Sequence, residues 1–197
     1  MTKFEFLDQL LDHNNGYIKT SDAEKNNISR TYFLDYVNER KLIKAAHGLY
    51  MTEDTWQDDM YVIQVRYPKV IFSHETAAYL LGLTNREPFM INVRLESGKG
   101  SSRLAKSGVR VYKIKEELLE IGLINVLTTS GKTVRSYNSE RTVCDIVRKR
   151  NTIEIQEVQT TIQEYFKRKE RNIPLLMKYA KLFAVEKIIK QYTELLL

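Results

Sequence analysis

The most informative stretch of this 197-residue sequence is Ser29-Arg-Thr-Tyr-Phe-Leu-Asp-Tyr-Val-Asn-Glu-Arg-Lys41, which has the pattern of an amphipathic helix with a clear beginning. Serine is a favoured capping residue, so the helix should begin directly after it. Phe33 and Val37 are four residues apart and should therefore face inward together. Upstream, similar patterns predict a helix over residues 2–13 and a short helix over residues 20–26. The quoted stretch is thus the third helix of an N-terminal module.

Two short segments of strand-forming residues, 42–45 and 49–52, follow this helix. Between them, Ala46-His47-Gly48 has the small and flexible residues that are typical of a tight β-hairpin. A helix, a short helix, a longer helix and a hairpin, in this order, predict a winged helix-turn-helix. We place this domain at residues 1–53.

In a helix-turn-helix, the first residues of the second helix of the pair enter the major groove of DNA. Arg30 suits a bidentate contact with guanine, and Thr31 suits the methyl group of thymine. The alternative is a three-helix platform that binds another protein, because a fold does not fix a function. The predicted DNA contacts are Ser29, Arg30, Thr31, Tyr32 and Asp35 on the third helix, with Lys19, Lys25, Lys41, Lys44 and His47 as contacts to phosphate or to the minor groove.

The excess of basic over acidic side chains lies outside this first domain. Residues 1–52 carry seven basic and seven acidic side chains, whereas residues 96–150 carry twelve basic and six acidic ones. Because phosphate binding needs an excess of cations, we expect the second part of the chain to add contacts. Glycines and serines within residues 97–115 predict an exposed, mobile loop, which is either merely solvated or a second surface for anions. The cations assigned to that surface are Lys99, Arg103, Lys106 and Arg110.

The pattern of residues 54–197 predicts a second domain that contains both helices and strands. From about residue 151 the pattern is helical, and this tail is either an appendage or part of the same core. The whole chain is therefore expected to be an α+β protein, a winged helix-turn-helix followed by a mixed α/β domain with a helical tail. Strands are predicted at residues 90–95, 109–113, 124–129 and 133–137, and helices at residues 55–66, 73–82 and 139–150.

The sequence favours neither catalysis nor a cofactor. Its three histidines are scattered, and no pair of cysteines or histidines has the spacing of zinc ligands. Cys144 lies within a predicted helix, where a buried thiol is more common than a nucleophile. A nuclease would use an acid-x-Lys triplet on a strand, but the only such triplet, Glu39-Arg40-Lys41, ends a predicted helix. We expect no enzyme activity, no cofactor and no metal, in a cytoplasmic protein without a membrane span.

Three motifs carry a resemblance to a known family. They are Gly48-Leu49-Tyr50 at the end of the hairpin, Ser73-His-Glu-Thr-Ala-Ala-Tyr-Leu-Leu-Gly-Leu83, and Glu140-Arg-Thr-Val-Cys-Asp145. In this order the chain resembles the AbiEi family of antitoxins, which belong to abortive-infection toxin–antitoxin systems of type IV. The resemblance covers most of residues 1–150.

The second and third motifs also have a structural explanation. Ser73 has the position of a helix cap, and Arg141 with Asp145 has the spacing of an ion pair on a helix surface. These residues can therefore mark the fold of the domain rather than a binding site.

The resemblance implies a protein of phage defence by abortive infection. It implies a repressor that binds inverted repeats in its own promoter DNA and opposes a co-encoded, nucleotidyltransferase-like toxin, with a direct complex left open. We expect a monomer that pairs on DNA, because no heptad pattern is present. The alternative is a winged-helix transcriptional regulator whose second domain senses a small ligand, and a third hypothesis is a nuclease.

Overall fold

The computed structural model describes residues 1–196, and these residues form a mixed α+β protein with eleven helices and two β-sheets. The chain divides into two compact units, the first ending at Pro68 and the second beginning at Lys69. The α+β class expected from the sequence is confirmed. No helix among the described residues is long and apolar enough to cross a membrane.

Side-chain caps begin the helices of the first unit. The Thr2 hydroxyl accepts a hydrogen bond from the Glu5 amide while the Glu5 carboxylate accepts one from the Thr2 amide, which is a complete capping box. The Ser29 hydroxyl accepts a hydrogen bond from the Tyr32 amide at 3.3 Å, as its position predicted. The elements of this unit are α1 (Lys3–His13), β1 (Tyr17–Lys19), α2 (Thr20–Lys25), α3 (Arg30–Glu39), β2 (Ile43–Ala46), β3 (Leu49–Met51) and α4 (Asp59–Arg66).

The three strands of the first unit form an antiparallel sheet with β3 in the centre. Phe33 and Val37 of α3 are buried against Leu7 and Leu11 of α1, so the inward face predicted for α3 is confirmed. Gly48 has a φ of +70°, a left-handed conformation that lets the chain turn tightly between β2 and β3.

The tyrosine of β1 explains why the first unit extends beyond residue 53. The Tyr17 hydroxyl accepts a hydrogen bond from the Asp58 amide at 2.8 Å and donates one to the Trp56 carbonyl at 3.2 Å. Its ring meets the Tyr61 ring edge-on, at 5.2 Å between centroids. These contacts hold α4 to the sheet, and α4 therefore belongs to the first unit, whereas the sequence analysis assigned it to the second domain.

The second unit is built on a five-stranded mixed sheet with the order β6-β5-β4-β8-β7. The pairs β4–β8 and β5–β6 are parallel, and the other two pairs are antiparallel. Its elements are β4 (Ile71–Phe72), α5 (His74–Leu80), β5 (Asn92–Glu96), α6 (Ser102–Lys106), β6 (Arg110–Ile114), α7 (Glu116–Leu119), β7 (Leu123–Leu127), β8 (Thr133–Tyr137), α8 (Ser139–Lys149), α9 (Ile155–Lys167), α10 (Ile173–Leu182) and α11 (Glu186–Leu196).

The helical tail is part of the core of the second unit. Val158 and Ile162 of α9 and Leu176 of α10 lie in the same buried cluster as Val143 and Val147 of α8. Because α8 is apolar on the sides that the tail covers, removing the tail would expose a continuous hydrophobic surface. Of the two interpretations left open by the sequence, the structure supports a shared core.

Arg141 and Asp145 form a buried pair, and the surface pair suggested by their spacing is wrong. Both side chains are 0% exposed, and Arg141 Nε lies 3.2 Å from Asp145 Oδ1. Arg94 Nη2 of β5 lies 2.9 Å from Asp145 Oδ2. The guanidinium of Arg141 also lies 3.5 Å from the centroid of the Phe183 ring, at the end of α10. The sheet and the tail thus cover α8 from two sides.

Two helices of the second unit differ from expectation in the side chains at their starts, although α8 begins at residue 139 as predicted. Asn138 rather than Ser139 caps α8, because its side-chain oxygen accepts a hydrogen bond from the Arg141 amide at 3.0 Å. Ser73 precedes α5 as expected, but its hydroxyl makes no capping bond and instead lies 3.0 Å from Nδ1 of His74. Sequence position alone did not show which polar side chain would face the helix end.

Replacing Asp145 with Asn should strongly destabilise the second unit. The variant leaves two buried guanidinium groups without a counter-charge, and breaking such a buried pair typically costs about 3–5 kcal/mol. Native-state hydrogen exchange of the α8 amides measures this loss. The control is Glu120→Gln, which removes an exposed pair with Arg135 and should cost less than about 1 kcal/mol. Equal losses in the two variants would contradict the structural role of the buried carboxylate.

Candidate nucleic-acid interface

The N-terminal half of α3 presents a polar, exposed face. Arg30, Thr31 and Asp35 are exposed, and Ser29 precedes them as the helix cap. Tyr32 is only half-exposed, because its ring packs edge-on against Phe4 of α1 at 5.3 Å. The structure therefore places three of the five predicted α3 contacts on one accessible face and uses the Tyr32 ring partly for packing.

Two further residues share this face and were missed by the sequence analysis. Leu34 is 38% exposed, although an isolated helix pattern would assign a leucine to the core. Asn38 lies one turn further on and is exposed. Both follow Arg30 at helical spacing, four and eight residues later, so this spacing was the signal available in the sequence. An apolar and an amide side chain on this face suit contacts with a thymine methyl and with adenine, respectively.

The candidate phosphate contacts lie at separate places in the first unit. Lys44 is exposed on β2, and His47 is exposed in the turn between β2 and β3. Lys25 is exposed at the end of α2, with its amine 3.9 Å from Asp22. Lys19 is half-buried, and its amine lies 5.2 Å from the centroid of the Tyr61 ring.

Lys41 lies outside α3, contrary to the predicted helix end. The helix ends at Glu39, and Lys41 has a φ of +53°, which interrupts the regular helical backbone. Its side chain is exposed beside the loop after β3, in a shallow depression that Glu53 and Asp54 also line. Acidic neighbours weaken the attraction of this lysine for phosphate.

The C-terminal half of α3 is fixed by an ion pair with α1. Arg40 donates two hydrogen bonds to the carboxylate of Asp8, at 2.9 and 2.8 Å, and the Tyr36 hydroxyl donates a third at 2.9 Å. The hydrogen bonds from Arg40 lower the pKa of Asp8, whereas burial raises the pKa of Tyr36. A bidentate pair of this kind orients a helix, so it holds α3 while leaving Arg30 accessible.

The basic segment of residues 97–115 is more ordered than expected. It contains all of α6 and β6 rather than one continuous loop. Acidic neighbours are present, since Lys99 Nζ lies 3.8 Å from Glu96 Oε2 and Arg110 Nη1 lies 3.9 Å from Glu75 Oε1. All four cations assigned to this surface are exposed, and Arg103 and Lys106 lie on α6.

His74 lies at the centre of a buried polar cluster that the sequence did not predict. Arg94 Nη2 lies 3.3 Å from His74 Nε2, and the imidazole stacks on Tyr112 at 3.7 Å between centroids. Because a guanidinium can only donate, Nε2 accepts, and the ring proton on Nδ1 is directed at the Ser73 hydroxyl. Burial lowers the pKa of His74 to about 3, so the ring is neutral.

This cluster brings together a serine, a histidine and Asp145, the residue types of a catalytic triad. Unlike the residues of a working triad, however, all three are buried. Ser73, His74 and Asp145 are at most 1% exposed, so a substrate cannot reach the serine hydroxyl in this structure. His74 also has a φ of +52°, a strained conformation that the surrounding contacts hold in place. The cluster positions the start of α5 against the sheet.

Cys144 is fully buried in α8, and burial raises the pKa of its thiol to about 12. The buried structural thiol predicted from the sequence is confirmed. In the part of the chain that the structure describes, no three His, Cys, Asp or Glu side chains are grouped so that they could hold a metal ion.

Comparison with known proteins gives a likeness of fold. No protein-family profile matches the chain, and no curated protein matches its sequence. Among solved structures, the chain is similar to the crystal structure of the RV2827C protein from Mycobacterium tuberculosis, with a TM-score of 0.58 and 12% sequence identity. The match covers 92% of this chain and 72% of that chain. At this identity the likeness concerns the fold alone.

The buried imidazole of His74 predicts a loss of stability in mild acid. Unfolding returns His74 to an ordinary pKa near 6.5, so between pH 6.5 and about 3 the unfolded chain binds a proton that the folded chain does not. The free energy of unfolding should therefore be highest above pH 6.5 and decrease below it, by up to about 1.4 kcal/mol per pH unit.

The matched variant for this prediction is His74→Asn, because asparagine tolerates the left-handed backbone and does not titrate. Urea denaturation between pH 7.5 and 4.5 should show a steeper pH dependence for the wild type than for the variant. Replacing the exposed His13 with Asn is the control and should leave the profile unchanged. Parallel profiles for the wild type and His74→Asn would contradict the neutral buried ring.

Proposed function

We propose that this protein is an antitoxin of the AbiEi type that represses its own operon and opposes a co-encoded, nucleotidyltransferase-like toxin. In this proposal the first unit is a winged helix-turn-helix that binds inverted repeats in the promoter. The observation that carries it is the free, polar face of α3, capped by Ser29 and bearing Arg30, Thr31 and Asp35. The succession of α1, β1, α2, α3 and the β2–β3 hairpin supports this proposal, because a winged helix-turn-helix has its helices and hairpin in this order.

The geometry of α2 and α3 supports a role in DNA reading. Asn27 has a φ of +57°, and this sharp turn connects α2 to α3 over four residues. Arg30 and Thr31 lie in the first turn of α3, the part of a recognition helix that meets base edges. Lys44 and His47 lie on the hairpin, from which they contact the phosphate backbone beside the groove.

The charge of the first unit favours binding by two copies. Residues 1–68 carry eight basic and eleven acidic side chains, a net charge of −3, so a single copy gains little from phosphate neutralisation. Two copies on an inverted repeat double the base contacts, and the exposed Arg103 and Lys106 of α6 supply cations from the second unit. We infer a monomer that pairs on its operator.

The antitoxin activity is assigned to the surface of the second unit. Arg141 and Asp145 of the family-like motifs are buried in an ion-pair cluster, and Ser73 is buried beside it. These residues therefore support the family assignment as determinants of the fold, because their side chains are fully buried and used within the protein. Neutralisation of the toxin then depends on residues of this unit other than Ser73, Arg141 and Asp145.

Arg30→Ala should weaken operator binding by about 1–3 kcal/mol and relax the preference for one base. The guanidinium contacts guanine only on the operator sequence, so its removal weakens binding to the operator but not to other sequences. Fluorescence anisotropy with the promoter fragment and with a scrambled fragment, at one salt concentration, measures both effects.

The matched control is Lys44→Ala, which removes a phosphate contact and should weaken binding equally on both fragments. If Arg30→Ala also weakened both fragments equally, Arg30 would be a phosphate contact and not a base contact.

The experiment that tests the antitoxin proposal is a growth assay with the adjacent downstream gene. That gene alone should arrest growth, and the full chain should restore it. The double variant Arg30→Ala, Thr31→Ala should rescue equally when both are expressed from a foreign promoter, because neutralisation lies outside α3. A harmless neighbour, or rescue that never occurs, would reject the antitoxin proposal and leave a DNA-binding regulator.

A further inference from the structure

The second unit contains a small pocket whose walls carry unused hydrogen-bond acceptors. Its free space is about 90 Å³, and it lies between the start of α5, the segment before β5, and α9. Four carboxylates and two guanidinium groups line it, so the lining has an excess of negative charge. The residues that matter for binding are Glu75, Arg86, Phe89, Asn92, Arg110 and Glu157.

Asn92 supplies the first unused acceptor. The residue is 1% exposed, and its side-chain oxygen Oδ1 has no hydrogen-bond partner. The side chain is held in place, because Nδ2 donates to the Met90 carbonyl at 2.9 Å and the backbone amide donates to the Thr76 hydroxyl at 2.8 Å. A buried acceptor without a partner is costly, so a donor from a ligand would be favourable here.

Glu75 supplies the second unused acceptor. Its Oε2 atom is buried without a hydrogen-bond partner, while its Oε1 atom has only a distant ion pair, 3.9 Å from Arg110 Nη1. Burial raises the pKa of this carboxyl, while Arg110 acts in the opposite direction. Glu157, whose side chain is 15% exposed, lies on the same wall and contacts Arg86 Nη1 at 3.7 Å.

The rim of the pocket carries a fully exposed aromatic side chain. Phe89 is 100% exposed and follows Pro88, which stiffens the backbone beside the pocket. Single exposed apolar residues are common, but an aromatic ring beside unused acceptors is the usual composition of an interface anchor. The ring offers a surface on which a planar cation can stack.

We propose that this pocket receives an arginine side chain from a protein partner, and that in the antitoxin this partner is the toxin. A guanidinium has five donors and no acceptor, so it matches Asn92 Oδ1 and Glu75 Oε2. Its aliphatic stem lies against the apolar rim at Phe89. The identity of the partner rests on the function proposed above, whereas the chemistry of the pocket does not.

The size of the pocket favours a side chain over a free metabolite. Pockets that hold small molecules typically measure roughly 300–1,000 Å³, several times the space available here. A single side-chain head fills such a volume, and the surrounding protein surface then supplies the rest of the binding energy.

The first test uses the full chain and two small probes, N-acetyl-arginine methylamide and its uncharged citrulline analogue. In two-dimensional NMR, the arginine probe should shift the Asn92 side-chain amide and the backbone amides of residues 86–92 other than Pro88. The citrulline probe should bind roughly tenfold more weakly, because it lacks the charge. Equal binding of the probes, or no shift at these residues, would overturn the proposed pocket.

Matched variants test which carboxylate binds the arginine probe. Glu75→Gln keeps the shape of the side chain but removes the carboxylate, and it should weaken the arginine probe roughly tenfold. Glu116→Gln removes an exposed carboxylate elsewhere on this unit and should change nothing. Unchanged binding to Glu75→Gln, in a variant with the wild-type spectrum elsewhere, would overturn the role of Glu75.

The second test concerns the partner. In the growth assay, Glu75→Gln and Phe89→Ala should reduce rescue at matched protein levels, while Glu116→Gln should rescue fully. Full rescue by both pocket variants would overturn the toxin as the partner, even if the arginine probe binds. If the downstream gene is harmless, the antitoxin proposal fails, yet the NMR titration still decides whether the pocket binds a guanidinium.

Discussion

The carboxylate of Asp145 is the group on which the second unit depends. It lies between Arg94 of the sheet and Arg141 of its own helix, and all three side chains are withdrawn from water. Removing charges from water is expensive, so such a cluster is tolerated only when each charge keeps its partner. The ring of Phe183 lies against Arg141, and neutral His74 accepts a hydrogen bond from Arg94. The sheet, α5, α8 and the tail are consequently held in one arrangement.

This constraint separates the residues that define the fold from those available to a partner. The residues of the family-like motifs, such as Ser73 and Asp145, are interior, and their chemistry is used within the protein. The accessible features include the polar face of α3, two cations on α6 and the pocket with unused acceptors beside Phe89. Two of these surfaces suit anions and one suits a cation. Binding of DNA and opposition to a toxin can therefore occupy different surfaces of one chain.

In the first unit, residues with a structural role and residues accessible to a partner are separated along the single helix α3. The C-terminal half of α3 is fixed to α1 through Asp8, which accepts hydrogen bonds from Arg40 and Tyr36. The N-terminal half carries Arg30 and Thr31 without burying them. A rigid helix with one accessible end positions side chains more precisely than a loop does. This division is consistent with the proposal that Arg30 contacts bases, and it gives Arg40 a structural contact with Asp8.

The sequence by itself determined the elements whose signals are local. Ser29 begins α3, residues 133–137 form a strand, and Phe33 with Val37 faces the core, because caps and periodicity act within a few residues. Only the tertiary structure decided which polar side chains are buried away from solvent. The i, i+4 spacing of Arg141 and Asp145 is the same for an exposed and a buried pair, and the covering groups come from distant β5 and α10. The pocket could not be predicted from the sequence either, because Glu75 and Asn92 come together only when the chain folds. That Glu75 Oε2 and Asn92 Oδ1 have no hydrogen-bond partner is likewise a property of the packed interior.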